Sequence, residues 1–275
     1  FGGYTVPDKG ALTESWDGSS WTEVGDLNTA RQYVCGSGTS TDGLAFGGGV
    51  IPPITTNTEA WDGSSWTEVA NMGTSRYGST GTGASSANAL VAGGNTPSAS
   101  SAVEEWTTTA TPTTLAKITE GQLFFNSTTN TFKETITDIP GATWASGAAL
   151  NTARNYIAGD GTQTAAIASG GNTSPKQQTE IWNGSSWTEV NDLNDTLYGR
   201  APFGTSTSQV IAGGNGPPYS AESESWNGSS WTEVAEINTA RRDAAGFGAS
   251  NSSGLVTGGL ASPGYSAANE LWNGS

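Results

Sequence analysis

Hydrophobic positions in this chain fall in short runs and period-two alternations, without a sustained helical stripe. In residues 31–75 they resolve into four strand candidates, RQYVCGSGTS (31–40), DGLAFGGG (42–49), TEAWDG (58–63) and SWTEV (65–69), separated by turn-forming residues. Runs of this length bounded by Gly, Ser, Asn, Asp and Pro read as β-strands. The pattern repeats. ESWDGSSWTEV (14–24) returns at 59–69, 180–190 and 224–234, and its first Trp falls at Trp16, Trp61, Trp106, Trp182, Trp226 and Trp272. Four of those five steps are 44–46 residues, and a glycine doublet keeps the same beat from Gly2-Gly3 to Gly258-Gly259. Four strands in a period near 45 predict an all-β fold, a β-propeller of about six four-stranded blades. The units run over about 1–30, 31–75, 76–153, 154–196, 197–240 and 241–275, all within one propeller spanning 1–275. FGGYTVPDKG, with neither an initiator Met nor a signal pattern, reads as a start in mid-motif. The first unit is expected to lack its inner strand and the last its outer one, to be supplied by flanking residues or a neighbouring chain.

Asp-Gly or Asn-Gly between two strand-like runs predicts a tight hairpin, of type I′ where φ is positive at both central residues. A two-residue loop pairs Trp16 with Ser19 and a four-residue loop pairs it with Trp21; both registers put the two indoles on one face, packed on the next blade. The eleven tryptophans fill these two positions: Trp16/Trp21, Trp61/Trp66, Trp106/Trp144, Trp182/Trp187, Trp226/Trp231 and Trp272. Burying roughly 200 Å² apiece contributes about 5 kcal/mol each as an upper bound. The reading is structural, against a sugar-stacking role. First strands such as RYGSTGTG and RRDAAGFG are rich in Gly, Ala and Ser, which suits narrow inner strands converging on a central channel. Five of six arginines (Arg31, Arg76, Arg154, Arg200, Arg241) head these strands and face the E-x-W carboxylates Glu14, Glu59, Glu104, Glu180, Glu224 and Glu270, with Glu23, Glu68, Glu189 and Glu233 on strand four. A ring of arginine contacts tying each blade to the next follows, in preference to a catalytic arginine cluster.

In one unit the turn is replaced. Residues 107–143 separate Trp106 from Trp144, and QLFFNS and NTFKET within them flank a Ser-Thr-Thr-Asn turn, predicting an inserted β-hairpin. Phe124, Phe125 and Phe132 can cover apolar surface, and Lys117 and Lys133 lie here too. An insertion at the edge of one ring is favoured over a junction between two modules.

Charge narrows the partners. A formal net charge of −15 opposes nucleic acid and anionic membranes, and there is no apolar run long enough to span a bilayer. The single Cys35 reads as a buried structural thiol. With no histidine, Ser-His-Asp and Cys-His sites and the usual His-containing zinc and copper sites are excluded, and neither a P-loop nor a dinucleotide fingerprint is present. No metal and no cofactor is expected. Asp160 and Asp243 lie in first strands where they can face the channel, the thin basis for a glycosidase reading. What varies between units is the loop after each glycine doublet, from YTVPDKGAL to LASPGYSAA. These Pro-rich loops share one face and carry Tyr4, Lys176, Tyr219 and Tyr265, the candidate binding residues; the alternative is that they are tolerant connections.

The glycine doublet, the E-x-W strand with its following Trp, and the Arg-led strand resemble kelch-type β-propeller repeats over nearly the whole chain outside the insert. The wording of GTQTAAIASGGN (161–172) and GQLFFNSTTNTFKETITDIPGATWASG (121–147) is similar to repeat-containing structural or fibre-like virion proteins of marine tailed bacteriophages. The redox site of galactose-oxidase-like kelch enzymes needs histidines this chain lacks. SWDGSSW also resembles the Asp-box of sialidase-like propellers, one residue short in spacing and structural in any case. The resemblance implies a non-enzymatic, extracellular virion component, a fibre or surface protein whose partners are other virion proteins, copies of itself or a host-surface glycan. Runners-up are a carbohydrate-active or carbohydrate-binding propeller and a kelch-type intracellular interaction module.

Overall fold

The computed structural model describes residues 1–5, 8–49, 53–108, 123–126, 131–134 and 142–274, and none of these is helical. Two short pairs come first, β1 (Tyr4–Thr5) with β2 (Asp8–Lys9) and β3 (Glu14–Trp16) with β4 (Trp21–Glu23). The first four-stranded antiparallel sheet is β5 (Cys35–Gly38), β6 (Gly43–Phe46), β7 (Thr58–Trp61) and β8 (Trp66–Val69). In the second, β9 (Thr80–Ser85), β10 (Asn88–Ala92) and β11 (Val103–Thr108) are followed by the hairpin β12 (Leu123–Asn126) and β13 (Thr131–Glu134) before β14 (Ala142–Gly147) closes the sheet beside β11. The third is β15 (Ala158–Thr162), β16 (Ala165–Ser169), β17 (Thr179–Trp182) and β18 (Trp187–Val190). The fourth is β19 (Ala201–Thr205), β20 (Ser208–Gly214), β21 (Ser220–Trp226) and β22 (Trp231–Val234). Last, β23 (Arg241–Arg242) precedes β24 (Ala245–Ser250) and β25 (Ser253–Thr257) and pairs with β26 (Leu260–Ala261), and β27 (Asn269–Trp272) completes a three-stranded sheet with β24 and β25.

Successive inner strands β5, β9, β15, β19 and β24 lie against one another, giving a β-propeller of five blades where the repeat count predicts about six. The first unit explains the difference. It supplies the outer pair β3–β4 without an inner strand, so Leu27, Ala11 and Val24 pack on Ala45, Trp61 and Trp66 of the blade that follows and no separate blade forms. Neighbouring inner strands approach closely enough that small residues are required. A Cβ on Gly246 would sit 2.0 Å from the Pro202 carbonyl oxygen, and one on Gly81 2.6 Å from the Phe46 ring.

In every repeat that carries both tryptophans they are direct cross-strand partners, with ring centroids 5.2–5.5 Å apart. The four-residue loop is therefore the one used. It is not a type I′ turn: only Gly18 has positive φ, and Asp17 instead accepts from the amides of Ser19 (2.7 Å) and Ser20 (2.8 Å). The short carboxylate folds the loop by replacing backbone partners, which is why Asn serves equally at Asn183. Trp61, Trp106, Trp182 and Trp226 are buried, as are Trp66, Trp187 and Trp231, while Trp144 is partly buried; Trp16, Trp21 and Trp272, at the two ends of the chain, are half-buried.

From the second unit onward, each first indole donates to a carbonyl of its own sheet's first turn, such as Trp61 Nε1 to Ser40 O (2.9 Å). Three second indoles reach back one repeat to the residue before E-x-W: Trp66 to Thr13 Oγ1 (3.0 Å), Trp144 to Thr58 Oγ1 (3.1 Å) and Trp231 to Thr179 Oγ1 (3.1 Å). Trp187 faces Val103 at the corresponding place, and its buried Nε1 has no partner among the described residues.

The arginines are buried and paired with the E-x-W carboxylates: Arg31–Glu59 (2.8 Å), Arg76–Glu104 (2.6 Å), Arg154–Glu180 (2.6 Å), Arg200–Glu224 (3.0 Å) and Arg241–Glu270 (2.7 Å). These pairs lie within a repeat, which corrects the picture of arginines joining one blade to the next. The carboxylate makes that tie: Glu59 also accepts from the Asn28 amide (2.7 Å) and Asn28 Nδ2 (3.0 Å) on the incoming connector, and Glu180 accepts likewise from Asn151. Strand-four Glu68 and Glu189 act on Arg31 and Arg154 only as more distant charges. Cys35 is free and buried, its thiol donating to Ser79 O (2.9 Å), and burial raises its pKa.

The hairpin in the insert pairs Phe125 with Phe132. Lys117, the turn at 127–130 and the covering role expected of Phe124, Phe125 and Phe132 lie outside what the described residues show.

Candidate functional site: the tyrosine-lined channel mouth

Where the chain enters each inner strand, the backbone takes one left-handed residue. The positions are Tyr33 (φ 54°), Gly78 (60°), Tyr156 (53°), Gly199 (63°) and Asp243 (53°). Glycine enters this region freely, whereas a bulky residue held there costs on the order of 1–3 kcal/mol. Three of the five sites carry that cost.

What they place is an aromatic cluster over the channel entrance. Tyr33 meets Tyr77 at 5.9 Å and Tyr156 at 6.4 Å, and Tyr156 meets Tyr198 at 6.1 Å. The two glycines make room for their neighbours: a Cβ on Gly78 would touch the Tyr156 ring at 3.7 Å, and one on Gly199 would meet the Asp243 carboxylate at 2.6 Å. The variable loops contribute the rim. Lys176 Nζ lies 5.1 Å over the Tyr198 ring, the Arg242 guanidinium 5.6 Å over Tyr219, and Asn215 Nδ2 donates to the Tyr198 hydroxyl. Arg242 also pairs with Asp243 at 3.1 Å, both side chains 30% exposed. Tyr33 is 43% and Tyr265 63% exposed, so the cluster faces solvent.

Burial favours the neutral phenol at Tyr33 and Tyr156. Burial and then the Asp243 charge raise the Tyr33 pKa, and burial pushes Tyr156 up to about 12. Burial also raises Asp243, with Arg242 opposing it. The mouth therefore offers aromatic faces with hydroxyl donors, two cations and one carboxyl group.

Of the loop residues singled out in the sequence, Lys176 and Tyr219 join this cluster directly, and Tyr265 acts on Tyr33 electrostatically. Tyr4 lies in β1, and its side chain is outside the described part. Sequence reasoning missed Tyr33, Tyr77, Tyr156, Tyr198 and Arg242. The signal is present in the residues beside the first-strand arginine, in RQY, RY, RNY, YGR and RRD. Asp243 is at the mouth. Asp160 is not a channel acid: it shares a face with its cross-strand partner Ile167, packs toward the next blade, and accepts from Gln209 Nε2 (2.8 Å). Burial pushes its pKa up to about 7. Asp160 is held by Gln209 on the third blade, whereas Asp243 is held by Arg242 ahead of β24 on the fifth.

The described residues include no cluster of His, Cys, Asp or Glu able to hold a metal, and no helix long and apolar enough to cross a membrane. Fold and mouth together define a propeller with a decorated channel entrance. The solved structure of YjhT, a propeller protein, is similar to it, with a TM-score of 0.65 over 95% of this chain and 88% of that one at 12% identity, a likeness of fold alone. No protein-family model and no curated protein matches the chain.

Proposed function

We propose that the chain is a non-enzymatic recognition module of kelch type whose channel mouth binds glycan, serving as a fibre or surface component of a phage virion. The observation that carries the binding role is the retention of Tyr33, Tyr156 and Asp243 at left-handed positions where Gly78 and Gly199 relieve the strain. Backbone strain of this kind persists where side-chain placement matters, and aromatic faces fringed by polar groups suit the CH-rich faces and hydroxyls of a sugar ring. The virion setting rests on the likeness in sequence wording. The absence of histidine, and the place of Asp160 between blades with Gln209 instead of at the mouth, favour binding over turnover.

The test is an oligosaccharide array followed by calorimetry on the hits, with Tyr156→Ala and Tyr198→Ala. Binding without turnover that drops about tenfold or more in both variants supports the reading. Binding indifferent to both removes the mouth as the site, and turnover abolished by Asp243→Asn replaces the reading with an enzymatic one. Detection of the chain in purified virions tests the setting.

A further inference from the structure

The chain holds ten basic residues against twenty-five acidic ones, and the fold commits half of the cations to buried pairs. Arg31, Arg76, Arg154, Arg200 and Arg241 each face an E-x-W carboxylate. The side chains of Lys9, Lys117 and Lys133 lie outside the described residues. Lys176 and Arg242 remain. They belong to different repeats and meet around one ring: Lys176 Nζ stands 5.1 Å over Tyr198, while Arg242 lies 5.6 Å over Tyr219 and within electrostatic reach of Tyr198.

Their placement runs against the charge of the chain. With a net charge of −15, a surface lysine has many carboxylates to settle beside, yet among the described residues Lys176 makes no ion pair and rests on an aromatic face. Both cations are set by backbone that is itself anchored. Lys176 stands two residues before Gln178, whose carbonyl accepts from buried Arg154 Nη1 (2.7 Å) and from the Gly170 amide (2.9 Å). Arg242 lies in β23 opposite Leu260, and the following amide, of Asp243, donates to Gly199 O (2.8 Å). A further donor is aimed at the same place: Asn215 Nδ2 donates to the Tyr198 hydroxyl, which leaves that hydroxyl's own proton for another acceptor.

The acids nearby do not cancel this charge. Asp195 is taken by Arg200 (2.6 Å). Asp243 pairs with Arg242 (3.1 Å), and its burial disfavours the ionised form. Even with Asp243 ionised, Lys176, Arg242 and Asp243 together are net positive. Charges farther than about 8 Å are largely screened at physiological salt, so a ligand at the mouth meets this patch before it meets the acidity of the whole chain.

We propose that the glycan held at the mouth is an acidic one, whose sugar carboxylate is received by Lys176 and Arg242 with the sugar ring on Tyr198. Ammonium, guanidinium and phenol then all donate to carboxylate oxygens, and the charged donors are the stronger ones. A neutral sugar uses the ring faces and leaves both cations without a counter-ion. This inference rests on the glycan reading of the mouth and adds to it the charge of the ligand.

The test is calorimetry on the intact chain with matched trisaccharides of glucuronate and glucose, galacturonate and galactose, and mannuronate and mannose, each pair differing only at the C6 carboxylate. In the pair that fits, the acid is expected to bind about tenfold or more tighter than its neutral partner. Raising salt from about 0.05 to 0.5 M should shrink that ratio. Lys176→Gln and Arg242→Gln should each lower the ratio about fivefold to tenfold, and Lys176→Arg should restore it. Neutral and acidic members bound equally well overturn the proposal and leave the glycan reading standing, whereas a chain that binds no member of any pair overturns both. An acid preference unmoved by salt and by Lys176→Gln also overturns it, and melting curves of the variants show that a lost preference is not lost folding.

Discussion

Val103→Thr is expected to stabilise this protein, although it places a hydroxyl where the chain has a buried methyl group. Val103 is 2% exposed and stands where Thr13, Thr58 and Thr179 accept an indole N–H from the following repeat, so Trp187 Nε1 is left buried without a partner. An unpaired buried donor costs about 1–3 kcal/mol, and a restored hydrogen bond returns a net of about 0.5–1.5 kcal/mol. Desolvating the new hydroxyl takes back part of this, leaving about 0.5–1 kcal/mol, or a rise in Tm of roughly 1–4 °C for a chain of this size. The reverse change, Thr179→Val, orphans Trp231 Nε1 and should cost about 1–2 kcal/mol. Calorimetric melting of both variants, and of Trp187→Phe made with and without Val103→Thr, isolates the pair. A coupling energy near zero between positions 103 and 187, or a Val103→Thr protein less stable than the parent, refutes the assignment of these contacts.

Glu180→Ala leaves Arg154, 0% exposed, with only the Gly170 and Gln178 carbonyls and also releases Asn151, so it should cost about 3–5 kcal/mol; Glu14→Ala, an exposed residue whose repeat contains no arginine, is the near-neutral control in chemical denaturation. Asp160 is raised from 3.8 to about 7 in the fold, so the folded state binds the extra proton, and stability should fall as pH rises through that window. Asp160→Asn should flatten that fall, seen as denaturant midpoints at pH 5 and 8 that no longer differ as in the parent. Tyr33→Gly relieves a left-handed residue and should leave stability unchanged or raise it by about 1 kcal/mol, while glycan affinity drops.

The scaffold was legible because its chemistry is periodic. The Trp beat, the glycine doublets and the E-x-W carboxylates recur at fixed offsets, and each recurrence corresponds to one contact repeated around the ring. The blade number was not, since the first unit, expected to lack its inner strand yet counted as a blade, packs its outer pair on the blade that follows. Asp-Gly alone does not choose between the two-residue and four-residue loops at Asp17, because it serves both type I′ hairpins and side-chain-closed loops, and φ at Asp17 separates the two. The mouth escaped because Tyr33, Tyr77, Tyr156 and Tyr198 do not hold one offset from the arginine. They converge by way of the left-handed entry residue, a backbone property that no hydropathy pattern records.

The backward reach of the second indole gives the ring a direction. Each repeat is sealed by a side chain that is synthesised only with the repeat after it, so a growing chain locks its blades one behind another, and the newest is always the one still open.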